Sequence, residues 1–277
     1  MEIWNQENCI VGEGPLWDPA EKVFWQVDIR GKCLYKLDEK KQEKYFLPQK
    51  VGCMALNKAG RVLVALEDGV YWQDTMALAH QPTAIKGERF NDGKVGPDGA
   101  FYLGTASSES RGAFYRLKNG VLTELFDGCT CSNGLDWSCD GKLMYYIDTL
   151  LQRIELFDFD RETGELSNRR TFMEIPAGWG KPDGMTIDEH DDLWVAFWDG
   201  YCVMHIDHMT GKVLQKLEMP CPKVSCCAFG GTDLRTLFVT TAAMEDHGQY
   251  PQAGKTFAIV LPIKGRKMYY YGGAQDE

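Results

Sequence analysis

The chain has no C-x-x-C pair, no apolar run of membrane length, no basic excess and no sustained helical period. Each absence removes a class of protein. Ten cysteines are present, but only Cys129/Cys131 and Cys226/Cys227 lie close together, so neither a zinc finger nor a redox pair is supported. The cysteines read instead as reduced thiols packed as small hydrophobes. The net charge of −10 argues against nucleic acid and anionic membrane as partners, because both need a basic surface. No segment approaches the roughly 20 apolar residues of a membrane-spanning helix. The opening Met1-Glu2-Ile3-Trp4-Asn5 has neither a basic nor an apolar region, so no signal peptide is expected and the cytoplasm is the expected location. The five histidines, His80, His190, His205, His208 and His247, share no familiar ligand spacing and read as surface or satisfied core residues. There is no G-x-S-x-G elbow and no evident Ser-His-Asp arrangement.

What is present is β-structure almost throughout. Strand-like runs occupy Val23–Ile29, Arg61–Leu66, Phe101–Gly104, Leu143–Ile147, Leu193–Trp198 and Thr236–Thr240, rich in Val, Phe, Tyr, Trp and Leu. Each follows a turn of the Asp/Asn/Gly/Pro type, such as Pro97-Asp98-Gly99 or Cys139-Asp140-Gly141. A local helix around Asp74–Ala79 is the one departure expected. The unit of turn and strong strand recurs roughly every 40–50 residues, the period of propeller blades. Six repeats without helical crossovers predict an all-β, six-bladed β-propeller of four antiparallel strands per blade, one domain over residues 1–277. Closure should join a strand near Glu2–Gln6 to the C-terminal segment around Lys267–Tyr271, since closing the ring removes exposed edges.

A carboxylate or amide followed by glycine recurs before the first strand of several repeats: Glu13-Gly14, Asp92-Gly93, Asn133-Gly134 and Asp183-Gly184. Such pairs are ordinary turn residues when met singly. At matching register around an axis, their oxygens converge in the central channel. Glu13, Asn133 and Asp183 offer only oxygen ligands, which suit a hard divalent cation, and Ca²⁺ tolerates irregular sites. No His or Cys holds a matching position, which weighs against a closed structural zinc site.

The segments Gly12-Glu13-Gly14-Pro15-Leu16-Trp17, Arg89-Phe90-Asn91-Asp92-Gly93-Lys94, Ser132-Asn133-Gly134-Leu135-Asp136-Trp137 and Pro182-Asp183-Gly184-Met185 resemble the signature segments of the gluconolactonase/regucalcin family, which includes senescence marker protein and luciferin-regenerating enzyme. Tyr145-Tyr146-Ile147-Asp148-Thr149 and Cys226-Cys227-Ala228-Phe229-Gly230-Gly231 agree, so the resemblance runs over nearly the whole chain. It implies a six-bladed propeller with one divalent metal in the channel mouth, hydrolysing sugar lactones and related esters. By motif match, Glu13, Asn133 and Asp183 fall on the metal ligands and Asp183 on the catalytic acid/base. Arg89 and Asn91 fall on residues holding substrate hydroxyls, and Asp92 on a carboxylate beside the metal water. The loop Ala106–Arg111 is shorter than in animal members, and Glu109 is the candidate for the acidic substrate contact that loop normally supplies.

Physical chemistry supports the same roles. Lactone opening needs an attacking water and stabilisation of an oxyanion, and a divalent ion serves both. A coordinating carboxylate is a weakened base, so either the free oxygen of Asp183 takes the proton or a hydroxide held by the ion is the nucleophile. Arg89 and Asn91 together match the hydroxyls of a polyol, although a lone arginine is ordinarily a surface ion-pair partner. The expected reaction is hydrolysis of aldonolactones such as gluconolactone to aldonic acids. The expected cofactor is one divalent ion, Ca²⁺ first, with Zn²⁺, Mn²⁺, Mg²⁺ and Fe²⁺ as alternatives. The competing readings are a non-catalytic calcium-binding scaffold and an esterase of non-sugar substrates. The expected partner is a small-molecule sugar lactone, with the protein a monomer or small homo-oligomer. Trp179, in the loop before Asp183, is a candidate wall of the site.

Overall fold

A computed structural model describes residues 1–272. Six small antiparallel sheets stand around one axis. Their innermost strands are Gly12–Asp18, Cys53–Leu56, Arg89–Val95, Ser132–Trp137, Lys181–Ile187 and Val224–Gly230, and each touches the next, the sixth returning to the first. The chain is a six-bladed β-propeller. Five blades have four strands; in blade two the outer place beyond Val70–Trp72 is filled by a single bridge between Tyr71 and Leu78.

The second strand of each blade is where the sequence is most apolar, and it is buried on both faces between neighbouring blades. Leu193–Trp198, with five of its six residues buried, is one example. Such strands read as continuous hydrophobic runs rather than alternating ones. The outer strands alternate, as in Gln42–Phe46, because one face meets solvent.

Ring closure differs in detail from the sequence expectation. Glu2–Asn5 does complete the last blade, but its partner is Thr256–Val260, with Glu2 opposite Ala258. The segment 265–272 forms no strand there. It crosses the channel floor: Gly265 bridges to Asp188 of blade five, Tyr271 to Asn57 of blade two, and Gly272 donates its N–H to Gly99 O of blade three. Both segments are β-formers by composition. Registry against the sixth blade selects the first, leaving the aromatic second segment to pack beneath the channel. The helix expected at Asp74–Ala79 is a turn, pinned by Met76 N–H to Trp72 O and by the ion pair of Asp74 with Arg61. Among the described residues the one helical turn is Thr149–Leu151, and no helix is long and apolar enough to cross a membrane.

Candidate metal centre and channel mouth

The inner strands carry irregularities where the motif residues lie. Pairing with the second strand shifts register between Glu13 and Leu16, between Ser132 and Leu135, and between Pro182 and Met185. A fourth shift lies between Leu103 and Thr105, opposite Gly93 and Phe90. A β-bulge breaks the alternation and re-aims a side chain. The ligand candidates therefore sit within the strands, one or two residues from their starts, rather than in the turns before them. The following glycines are there for proximity. A Cβ on Gly134 would lie 2.5 Å from the carbonyl oxygen of Asp183, and one on Gly184 would collide with Cys226 Sγ. The inner strands of blades four and five, and of blades five and six, thus approach closely at this point of the channel.

Glu13, Asn91, Asp92, Asn133 and Asp183 are all buried, between 4 and 8 % exposed. Glu13 Oε2 accepts only the N–H of Gly14 (2.8 Å), and Asp92 Oδ1 that of Gly93 (2.7 Å). Asn133 donates Nδ2 to Thr149 Oγ1 (2.9 Å), which fixes the amide and turns its oxygen away from Thr149. Asn133 Oδ1 and Asp183 Oδ1 are buried with no hydrogen-bond partner. Buried acceptors without partners are uncommon and costly.

The electrostatics point the same way. Burial, then the Asp92 carboxylate, pushes the Glu13 carboxyl up to about 8. Burial, then Glu13 and Asp92, pushes Asp183 well above the usual carboxylate range. Burial also raises Asp92, with Lys94 working against the rise. Arg89 is the cation that favours the charged forms of Glu13 and Asp183. It is half-buried and tethered, donating Nη1 to Asn91 Oδ1 (2.6 Å) and to Phe90 O (2.9 Å). Asn91 in turn donates Nδ2 to Ser132 O (2.7 Å) across the blade boundary. Three acids around two orphaned oxygens form a site built for positive charge. The donor set Glu13, Asn133 and Asp183 fits a divalent cation with oxygen preference.

Glu109 is exposed; its N–H donates to Ser107 Oγ (3.3 Å) and its carboxylate pairs with Arg111 (2.8 Å). It lines a groove of about 540 Å³ with Lys86, Glu88 and Asp127. Trp179 packs edge-on against Phe197 in blade five, with ring centres 6.3 Å apart. All ten cysteines are free. Three of them pack near the acids, unforeseen from sequence because nothing in their spacing marks them. Cys226 neighbours Glu13 and favours its charged form, Cys131 Sγ lies 3.6 Å from Asn91 Nδ2, and the charges of Asp92 and Glu13 act on the Cys53 thiol. Also unforeseen was the role of Thr149 in orienting Asn133.

The family model described as the SMP-30/Gluconolactonase/LRE-like region matches residues 11–243. The chain belongs to that family. Regucalcin of Sus scrofa is 37 % identical over an alignment of 294 residues, covering 99 % of this chain and 98 % of the relative. Regucalcin of Homo sapiens is 36 % identical, with 96 % of each covered. Among solved structures, a regucalcin from Agrobacterium tumefaciens, described as a calcium-binding protein, superposes with a TM-score of 0.90 at 27 % identity, covering 97 % of this chain and 96 % of that one. A luciferin-regenerating enzyme gives 0.84 at 29 % identity, with 96 % of each chain covered. A gluconolactonase from Xanthomonas campestris shares the fold, with a TM-score of 0.77 at 21 % identity over 94 % of this chain and 89 % of that one.

Proposed function

We propose that this family member is a divalent-metal-dependent lactonase that opens five- and six-carbon sugar lactones to aldonic acids. The observation that carries the reading is the pair of orphaned, buried oxygens, Asn133 Oδ1 and Asp183 Oδ1, set among three buried acids. Glu13, Asn133 and Asp183 would hold the ion. Calcium suits so irregular an oxygen set, and the A. tumefaciens regucalcin is described as calcium-binding. Zn²⁺, Mn²⁺, Mg²⁺ and Fe²⁺ remain chemically acceptable to it. When bound, a divalent ion supplies Lewis-acid polarisation of the lactone carbonyl and lowers the pKa of water.

The chain's own residues do the rest. Arg89, held by Asn91, presents its remaining guanidinium donors to the ring hydroxyls, and Asn91 Oδ1, which takes one hydrogen bond from Arg89, keeps a second lone pair for a substrate hydroxyl. Asp183 takes the proton of the attacking water. It returns that proton to the ring oxygen as the acyl C–O bond breaks, giving a hydroxyl and a carboxylic acid, which then loses the second water proton to solvent to become the carboxylate. Asp92 sits beside these groups as a further acceptor for the water. Glu109, released from one exposed ion pair, supplies an acidic contact at the rim. The ten free thiols support a reducing compartment such as the cytoplasm.

The test is a panel of aldonolactones assayed by proton release, before and after chelation and with divalent ions restored. Hydrolysis that disappears on chelation and returns with metal is expected. Full activity in metal-free protein overturns the reading. Saturable metal binding with no turnover of any lactone favours a calcium-binding scaffold instead.

A further inference from the structure

Blade five carries a second group of ligating side chains, at some remove from the channel acids. The turn after its inner strand bears Asp188 and Asp192. The third strand, Cys202–Ile206, bears His205, and His208 follows in the next turn. His205 Nε2 lies 3.1 Å from Asp188 Oδ2 and 3.6 Å from Asp192 Oδ2, and His208 Nδ1 lies 2.9 Å from Asp192 Oδ1. The ligating atoms of Asp188, Asp192 and His205 all fall within 4.8 Å of one another. One ion bound at about 2.0–2.2 Å from each needs ligand atoms roughly 3–4 Å apart.

Two further features separate this group from an ordinary ion pair. The His205 ring is fixed, stacked on Trp194 at 4.2 Å and 13°, and Trp194 Nε1 donates to Asp188 Oδ2 (2.9 Å). The imidazole and the carboxylate are thus locked by the same tryptophan, the pre-organisation a metal site needs. Secondly, His205 Nε2 is wholly out of solvent and makes no aligned hydrogen bond, although two carboxylate oxygens are at hand. The nitrogen faces both carboxylates at ion-pair distance, without the alignment of a hydrogen bond to either. Asp188 is fully buried and supplies the closed side; His208, with a third of its side chain exposed, stands at the open side. Glu189, Asp191 and Asp207 keep the surrounding turns negative.

We propose that Asp188, Asp192 and His205, with His208 at the rim, form a second divalent-metal site on blade five, selective for borderline transition ions of the Zn²⁺, Co²⁺ or Ni²⁺ class over Ca²⁺. Imidazole nitrogen is the reason for that preference, since Ca²⁺ takes oxygen donors and the later first-row ions favour mixed N/O sets. The site is independent of the lactonase reading.

The probe is Co²⁺, followed by its visible absorption, and Zn²⁺, followed by calorimetry. Both are titrated into the full chain carrying Glu13→Gln and Asp183→Asn, which removes the anionic ligands of the channel. One saturable ion per chain is expected, with ligand-field bands of a nitrogen-containing site and no displacement by excess Ca²⁺. His205→Gln and Asp192→Asn, each added to that background, should weaken binding by roughly tenfold or more, as loss of a metal-site residue does. Asp192→Asn keeps an oxygen to accept the His208 N–H, so it answers the question even where His205→Gln disturbs packing on Trp194. Absence of saturable binding in the channel-disabled protein overturns the proposal. So does an affinity unchanged by both substitutions, or displacement of Co²⁺ by Ca²⁺ at equal concentration.

Discussion

The two ends of the central channel handle buried charge in opposite ways. At the mouth, Glu13, Asp92 and Asp183 are buried together and pushed toward protonation, and two oxygens have no partner. At the floor, Asp136 is just as buried and is fully paired. Its Oδ2 accepts from Lys94 Nζ (2.8 Å) and its Oδ1 from Arg266 Nη2 (2.5 Å) and the Trp137 N–H (2.8 Å). Burial works to raise the Asp136 carboxyl, but Lys94 and Arg266 hold it below its usual range. Asp92 and Lys94 share one inner strand and Asn133 and Asp136 another, while Arg266 comes from the strap 265–272. Between them lies a cavity of about 500 Å³, bordered by Asp92 and Lys94 above and by Arg266 and Tyr269 below. The difference separates function from architecture. Charge compensated by the protein ties the strap 265–272 to the blades, whereas the acids of the mouth, on the function proposed above, take their counter-charge from an outside cation.

The largest effect should follow from Asp183→Asn at the mouth. It keeps shape and one oxygen but removes the charge and the base. At saturating metal, kcat should fall by roughly 10²–10⁴-fold, the range of general acid–base contributions, and metal affinity should fall as well. In metal-free protein the same change should leave stability unaltered or raised, because it relieves repulsion among crowded carboxylates. A kcat near the parental value at saturating metal would show Asp183 to be a replaceable ligand and move proton transfer elsewhere.

The same substitution at the floor should have the opposite sign for stability. Asp136→Asn leaves the largely buried Arg266 and the part-buried Lys94 without their counter-charge. Breaking a buried pair on one side costs about 3 kcal/mol or more, to be read from urea unfolding of metal-free protein. A loss under about 1 kcal/mol would place this network with weak surface pairs and dissolve the contrast between the two ends.

The contrast was only half legible in the sequence. The mouth could be read because its residues recur in one grammar, an acid or amide and then glycine, at the same point of successive repeats. The six blades could be read from the spacing of turns and of strands such as Leu193–Trp198, which the structure reproduces residue for residue. The floor could not be read. Arg266 lies in a segment that reads as a strand by composition, and only the registry of Thr256–Val260 with Glu2–Asn5 releases it to cross the channel. Lys94 and Asp136 stood within the motif segments already singled out, but nothing local says that they meet across 42 residues of chain. The orphaned state of Asn133 Oδ1 likewise depends on Thr149, sixteen residues away, and the blade-five cluster depends on a turn and a strand with no shared motif.

The smallest effect, and the one that reports on the mouth without touching a residue, is the pH dependence of metal-free stability. The Glu13 carboxyl is raised in the folded state from its ordinary 4.5 to about 8. Between those values the folded protein binds more protons than the unfolded chain, so stability falls as pH rises. The stability that protonated Glu13 confers is complete below about 4.5 and lost progressively toward about 8. One proton of difference amounts to about 1.4 kcal/mol per pH unit, or a fall of roughly 2–4 °C in Tm between pH 6 and 7 for a chain of this size. A divalent ion at the mouth replaces the protons, so the Tm gain on adding metal should grow over the same interval. Floor substitutions should leave the slope unchanged, because Asp136 is already ionised throughout. Thermal scans of chelated and metal-loaded protein at pH 5, 6, 7 and 8 decide the matter. A flat profile in the chelated protein would mean that the mouth acids are compensated from within, and the two ends of the channel would no longer differ in kind.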